Sequence, residues 1–190
     1  MCVVIDPTAP SVLDVHDFRR AGEFKRVHRV VPAPAGIANP VIEVPPGADM
    51  RIDLTLESVI DGVLVTADLT FPTVGFCSRC LEPLTETLDS PFSELYLWVE
   101  PEQVDPDDDP LPLVQGGLID LSGAIRDAVV LALPLAPVCG ADCGGLCPTC
   151  GIKLADHPGH DHVQDDPRWA ALKALQLPPD VGEDSTMGDT

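Results

Sequence analysis

Six of the seven cysteines in this 190-residue chain fall into two clusters. The first is Cys77-Ser-Arg-Cys80; the second runs Cys139, Cys143, Cys147-Pro-Thr-Cys150, and Cys2 stands apart from both. A Cys-x2-Cys pair lets both sulfurs converge on one ion at about 2.3 Å while the intervening amides turn toward the thiolates. Gly151 directly after Cys150 permits the backbone reversal that such a knuckle needs. Cys77 and Cys80 could instead form a redox dithiol, but such pairs sit at a helix N-terminus, where the dipole lowers thiol pKa. Here Pro83 follows almost at once and no amphipathic helix begins. Metal binding is therefore the stronger reading, and buried inert thiols rank third. The opening Met-Cys-Val-Val-Ile-Asp-Pro has neither the basic n-region nor the apolar stretch of a signal peptide. The thiols are thus read as cytoplasmic, where clusters indicate metal rather than disulfides.

The histidines divide into two groups. His16 and His28 lie among polar residues and read as surface imidazoles, whereas His157, His160 and His162 closely follow Cys150 in a Gly/Asp loop. His160-Asp-His162 can close a site begun by Cys147 and Cys150. Six clustered cysteines and these two histidines then make eight ligands, enough for two tetrahedral zinc ions, while a solvated His-rich loop would leave one. A competing arrangement is a single ribbon of Cys77, Cys80, Cys147 and Cys150, with Cys139 and Cys143 free.

No enzyme signature accompanies these ligands: there is no phosphate-binding Gly loop, Gly-x-Ser-x-Gly elbow or His-Glu-x-x-His. Closed sulfur-rich sites are structural, whereas catalytic zinc keeps one position open. The chain therefore reads as a non-enzyme. Two rivals remain: a zinc-dependent hydrolase or nuclease, and a redox- or zinc-responsive adaptor.

The elements that must position the ligands follow from composition and pattern. Hydrophobic residues make up 45% and charged residues 22%, a globular balance, but aromatics at 4% leave the core to Val, Leu, Ile and Ala. No apolar run approaches the ~18 residues that would span a bilayer. Met50, Ile52, Leu54 and Leu56 alternate with polar residues, a strand pattern, and Asp61-Gly62 separates that run from a second one leading to Cys77. Phe24 to Val31 reads as a strand, and Leu84 to Leu88 with Phe92 to Trp98 as one or two more. Residues 1–40 otherwise read as irregular, apart from one short run around Val12 to Phe18. Leu121, Ile125, Ala128, Val129 and Ala132 share one helical face before Pro134, with Asp120 or Ser122 as the cap. Asp166-Pro167 opens a short C-terminal helix with Trp169, Leu172 and Leu175 on its stripe.

Charge sets the partner classes. The net charge of −20 repels phosphate backbones at long range, yet Arg19, Arg20, Lys25, Arg26 and Arg29 hold five of the eleven cations. That segment is the candidate RNA contact; a solvated edge strand with gatekeeping charges is the plainer reading. Acids concentrate in Glu100 to Asp109 and beyond Asp156.

Five ordered motifs carry a family resemblance: Cys77-Ser-Arg-Cys80-Leu-Glu-Pro83; Gly117-Leu-Ile-Asp-Leu-Ser; Ala132-Leu-Pro-Leu-Ala-Pro-Val-Cys139; Asp142-Cys143-Gly-Gly-Leu-Cys147-Pro-x-Cys150-Gly151; and Asp166-Pro-Arg-Trp-Ala-Ala-Leu-Lys173. Together they resemble the YceD family of large ribosomal RNA subunit accumulation proteins, in an actinobacterial-type form. The resemblance implies a factor in large-subunit ribosome biogenesis. The chain's acidity then points to a basic ribosomal protein or rRNA-processing factor as partner, and the lack of a long apolar run to no membrane role. It also implies a ligand pairing, because family members often carry Cys-x-Cys where this chain has His160-Asp-His162. Cys77, Cys80, Cys139 and Cys143 would form one site; Cys147, Cys150, His160 and His162 would form the other.

The expected fold is α+β: a mainly antiparallel sheet of about five strands, the Leu121 to Leu133 helix on one face, and a Cys-rich loop folded back on the Cys77 end. The expected organisation is one domain over 1–177, with an α+β core at 41–135, a metal loop at 136–165 and a disordered acidic tail at 178–190.

Overall fold

Met50, Ile52, Leu54 and Leu56 all turn inward along strand β4 (Asp49–Ser58), and the residues between them face solvent. This period-two burial fixes the sheet, because a one-residue slip would expose the whole apolar row. The computed structural model describes residues 5–18, 20–100 and 111–162. In chain order the other strands are β1 (Val12–Asp14), β2 (Phe24–Pro32), β3 (Ile42–Glu43), β5 (Gly62–Phe76), β6 (Pro83–Leu97) and β7 (Leu118–Asp120). One helix, α1, spans Ser122–Ala132.

β5 is the spine. One edge pairs with β4 over Val63 to Thr70 and then with β3 at Val74 and Gly75, while the other pairs with β6 along its whole length. β2 adds to the far side of β4, so β2 and β6 are the outer strands of a five-stranded antiparallel sheet. α1 lies against β6, burying Ile125, Ala128 and Val129, and the Ser90 hydroxyl donates to the Ala128 carbonyl at 3.1 Å. At the helix start the N-cap position is Leu121, with no side-chain cap bond, so neither Asp120 nor Ser122 caps the helix; the Asp120 carboxylate, one residue earlier, accepts the Ser122 amide at 2.9 Å.

The β4–β5 hairpin closes one residue earlier than Asp61-Gly62 suggests. Ser58 faces Val63 and the Val59 amide donates to the Gly62 carbonyl at 2.9 Å, so Ile60 and Asp61 form the turn and Gly62 begins β5. Glycine is needed there for space, since a Cβ would stand 2.1 Å from the Tyr96 carbonyl oxygen on β6. Gly62→Ala is therefore expected to cost about 1–3 kcal/mol in a denaturant titration, the range for overpacking. Gly123→Ala, with nothing within 4 Å of the added methyl, is expected to be neutral or to stabilise by up to about 1 kcal/mol.

The stretch read as irregular contributes more than expected. Leu13, Val15, Ala33 and Ile37 all join the buried core, and β1 pairs antiparallel with β7 in a small second sheet. Three-residue strands whose partners lie more than a hundred residues away leave no local periodicity to read. The expected C-terminal helix, the acidic tail and most of the Glu100 to Pro112 loop lie outside the described residues. Among those described, no helix is long and apolar enough to cross a membrane.

Candidate metal centres

Both knuckles are built by the same backbone device. The Leu81 amide donates to the Cys77 carbonyl at 2.9 Å, and the Gly151 amide donates to the Cys147 carbonyl at 2.8 Å. The Cys77 amide donates to the Glu82 carbonyl and the Cys147 amide to the Ile152 carbonyl, both at 2.8 Å. Each turn needs a left-handed residue after its second cysteine: φ is +60° at Leu81 and +73° at Gly151. Among the described residues, Leu81 is the one non-glycine with positive φ, a conformation that costs an L-residue roughly 1–2 kcal/mol. Leu81→Gly should therefore raise stability by up to about 1 kcal/mol once glycine's extra unfolded-state freedom is subtracted. Gly151→Ala should lower it by about 1 kcal/mol. Thermal melts of the two variants test this opposite pair of signs.

β5 delivers the first knuckle at its end, and residues 137–143 fold back over it. The Ser78 amide donates to the Pro137 carbonyl at 2.8 Å. The Cys77 and Cys143 sulfurs then stand 3.8 Å apart, and those of Cys80 and Cys139 3.6 Å. A tetrahedral ion with thiolates at about 2.3 Å requires sulfurs about 3.8 Å apart, so the spacing fits zinc. The ligand atoms of all four residues lie within 4.8 Å of one another.

The electrostatics fit a cation as well. The Cys80 amide, then that of Cys139, stabilise the Cys77 thiolate and bring its pKa down to about 6. Cys139 is pushed up to about 12 by hydrogen bonds with the Cys143, Cys80 and Cys77 sulfurs. Four crowded sulfurs cannot all ionise alone; a divalent ion removes that conflict.

The second group is Cys147, Cys150, His160 and His162, whose ligand atoms also lie within 4.8 Å of one another. The Cys150 sulfur is 3.3 Å from His160 Nε2 and 3.1 Å from His162 Nε2, and the two rings meet edge to face. Cys147 is lowered to about 6, chiefly by the Cys150 amide and then by that of Thr149, against burial. His157 ends the short 3-10 turn Leu154–Asp156 and belongs to neither group. The structure thus pairs four cysteines in one group and two cysteines with two histidines in the other, whereas a single ribbon would need Cys77 and Cys80 beside Cys147 and Cys150. In either group, four protein ligands on one tetrahedral ion leave no open position.

Spacing did not point to the residues that join the two groups. The Arg79 guanidinium donates to the Ala141 and Cys143 carbonyls at 3.3 and 3.1 Å, and the Arg79 carbonyl accepts the Leu146 amide at 3.1 Å. Lys153 pairs with Glu82 at 2.9 Å, which holds the Lys153 pKa above its usual value. The second knuckle is thereby seated on the first. Leu81 carried a sequence signal, since it occupies the place that Gly151 holds in the other knuckle.

The basic segment does not form one surface. β2 register puts Lys25 and Arg29 on the face of Leu56 and Ile52, and Arg26 on the opposite face with Thr55. His28 pairs with Asp53, and His16 with Asp14. Arg20 lies in the turn before β2, and Arg19 lies outside the described residues.

Comparisons with known proteins agree with these motifs. A family model described as large ribosomal RNA subunit accumulation protein YceD matches residues 65–176. An uncharacterized protein of Mycobacterium tuberculosis is 42% identical over 172 residues, covering 90% of this chain and 83% of that protein. One from Mycobacterium leprae is 37% identical over 179 residues, covering 93% and 82%. The Haemophilus influenzae protein named large ribosomal RNA subunit accumulation protein YceD is 36% identical over 64 residues, 33% of this chain and 37% of that protein. No solved structure matches.

Proposed function

Because the chain belongs to the YceD family, we propose that it is a non-enzymatic cytoplasmic factor in large-subunit ribosome biogenesis. It supports accumulation of large-subunit ribosomal RNA as a single domain over 1–177, with structural zinc in both four-ligand groups. The observation that carries this reading is the family match across 65–176, which takes in both knuckles and all eight candidate ligands.

Cys77, Cys80, Cys139 and Cys143 would hold one ion, and Cys147, Cys150, His160 and His162 the other. When bound, zinc supplies a cross-link between distant chain positions. A closed shell gives a substrate no place to bind the metal, which argues against a hydrolase or nuclease. Depleting the protein is expected to lower the ratio of large- to small-subunit ribosomal RNA and the number of 50S particles. An unchanged ratio would contradict the proposal.

The direct partner is a basic ribosomal protein or rRNA-processing factor. What supports protein over RNA is the net charge of −20 together with the division of Lys25, Arg26 and Arg29 between two faces. Replacing Arg19, Arg20, Lys25, Arg26 and Arg29 with Gln is expected to remove any co-purifying RNA while leaving the captured protein partner in place. Stability should change by only about 0.5 kcal/mol per exposed site. Nuclease treatment of the captured complex provides the check: a partner that disappears with the RNA would make the basic segment the true contact.

A further inference from the structure

The two outer strands of the sheet are protected differently. β2 carries Lys25, Arg26 and Arg29 and ends in Pro32, features that discourage an edge from pairing with another chain. β6 has no lysine or arginine in its 15 residues; its charges are Glu86, Asp89 and Glu94. Among the described residues, its backbone pairs with β5 alone until Leu97, where residues 112–114 take over. Pro91 lacks an amide donor, which an outer strand tolerates, so an occupant would pair on either side of it.

Beside this edge lies a groove of about 370 Å³. It is lined by residues 90–94 of β6 and by residues of α1, including Asp127 and Leu131. Phe92 and Leu131 supply apolar surface, Leu131 being 86% exposed, while Glu94 and Asp127 supply negative charge and, among the described residues, no cation lines the groove.

We propose that the outer edge of β6 and its groove against α1 dock an extended protein segment in which a lysine or arginine stands two residues from an apolar residue, so that both face the groove. Backbone pairing along β6 would supply affinity, as in other strand-addition complexes. Phe92 and Glu94, two residues apart, share one face of β6; Phe92 and Leu131 would receive the apolar side chain, and Glu94 and Asp127 the cation two residues from it. A second copy of this chain would bring like-charged strips face to face, which is unfavourable. RNA would bring phosphates onto carboxylates. The proposal deepens the ribosomal reading and rests on it only for the biological source of such a segment.

The test uses the intact, zinc-loaded, isotope-labelled protein and an end-blocked peptide of repeating Lys-Thr-Val-Thr, which puts Lys and Val on one strand face, followed by amide NMR shifts at fixed ionic strength. Saturable shifts confined to β6 and α1 are expected. Glu94→Gln with Asp127→Asn should weaken binding roughly tenfold, and the Glu/Val peptide, the same repeat with Glu in place of each Lys, should not bind. Asp127→Asn alone changes an exposed helical side chain, so it keeps the test valid if the double variant misfolds; it should weaken binding by a smaller factor. Absent shifts, shifts elsewhere, equal binding of the Glu/Val peptide, unchanged affinity in folded variants, or self-association through this strip would each overturn the proposal. None of those outcomes touches the ribosomal reading, which stands or falls on the RNA ratio in depleted cells.

Discussion

Stripping metal from the purified protein with a chelator is expected to release residues 137–162 as a unit while the sheet stays folded. The reason lies in where apolar burial stops. The main core cluster ends at Leu133, and beyond it burial is confined, among the described residues, to Pro137, Gly145 and Cys147. The segment is otherwise held by hydrogen bonds, each worth about 1 kcal/mol net. A structural zinc supplies on the order of 10 kcal/mol, so zinc bound there would decide whether this region is ordered. Hydrogen exchange read by mass spectrometry should show the Cys147, Gly151 and Leu154 amides losing protection on chelation. β4 and β5 should keep theirs, apart from fraying at the Phe76 to Pro83 end. Uniform loss across the sheet, or a segment that stays protected, would place its stability elsewhere.

The two centres should also respond unequally to ligand loss. Cys77 is fully buried at the end of β5, and the first knuckle offers the Arg79 carbonyl and Glu82 as the seat of the second. Cys77→Ser should therefore cost both metals. His162→Ala should cost only the mixed cysteine–histidine centre, because the four ligands of the first come from β5's end and residues 139–143. Cobalt substitution separates the outcomes, since four-sulfur and mixed sulfur–nitrogen shells absorb differently. Arg79→Ala removes the guanidinium contacts to Ala141 and Cys143 but keeps the carbonyl. It should weaken metal binding at the first centre by about ten- to a hundredfold, as loss of supporting contacts around ligands does. Equal, independent losses from Cys77→Ser and His162→Ala would show that the knuckles fold separately.

What could be read from the sequence depended on the distance over which the information acts. β4 was legible because its period-two pattern is written within ten residues, and α1 because its apolar face repeats within three turns. β6 left one strand or two open, because Pro91 reads as a break; only its position on an outer edge lets one strand run through. β1 and β7 were not legible, because each is three residues long and meaningful only beside the other. The same division holds at the candidate site. Cys77-x2-Cys80 and Cys147-x2-Cys150 announce themselves by spacing, whereas the pairing among eight ligands came from a family resemblance. The contacts of Arg79, and of Glu82 with Lys153, join positions about seventy residues apart, and no local pattern records them.

The central claim, that two closed metal centres hold the region after α1, is tested most directly by native mass spectrometry of the intact protein. The account predicts the mass of the chain plus two zinc ions, with Cys2 as the only readily titratable thiol. A folded, metal-free chain with all seven thiols titratable would contradict it outright, and a single zinc per chain would contradict the two-centre arrangement.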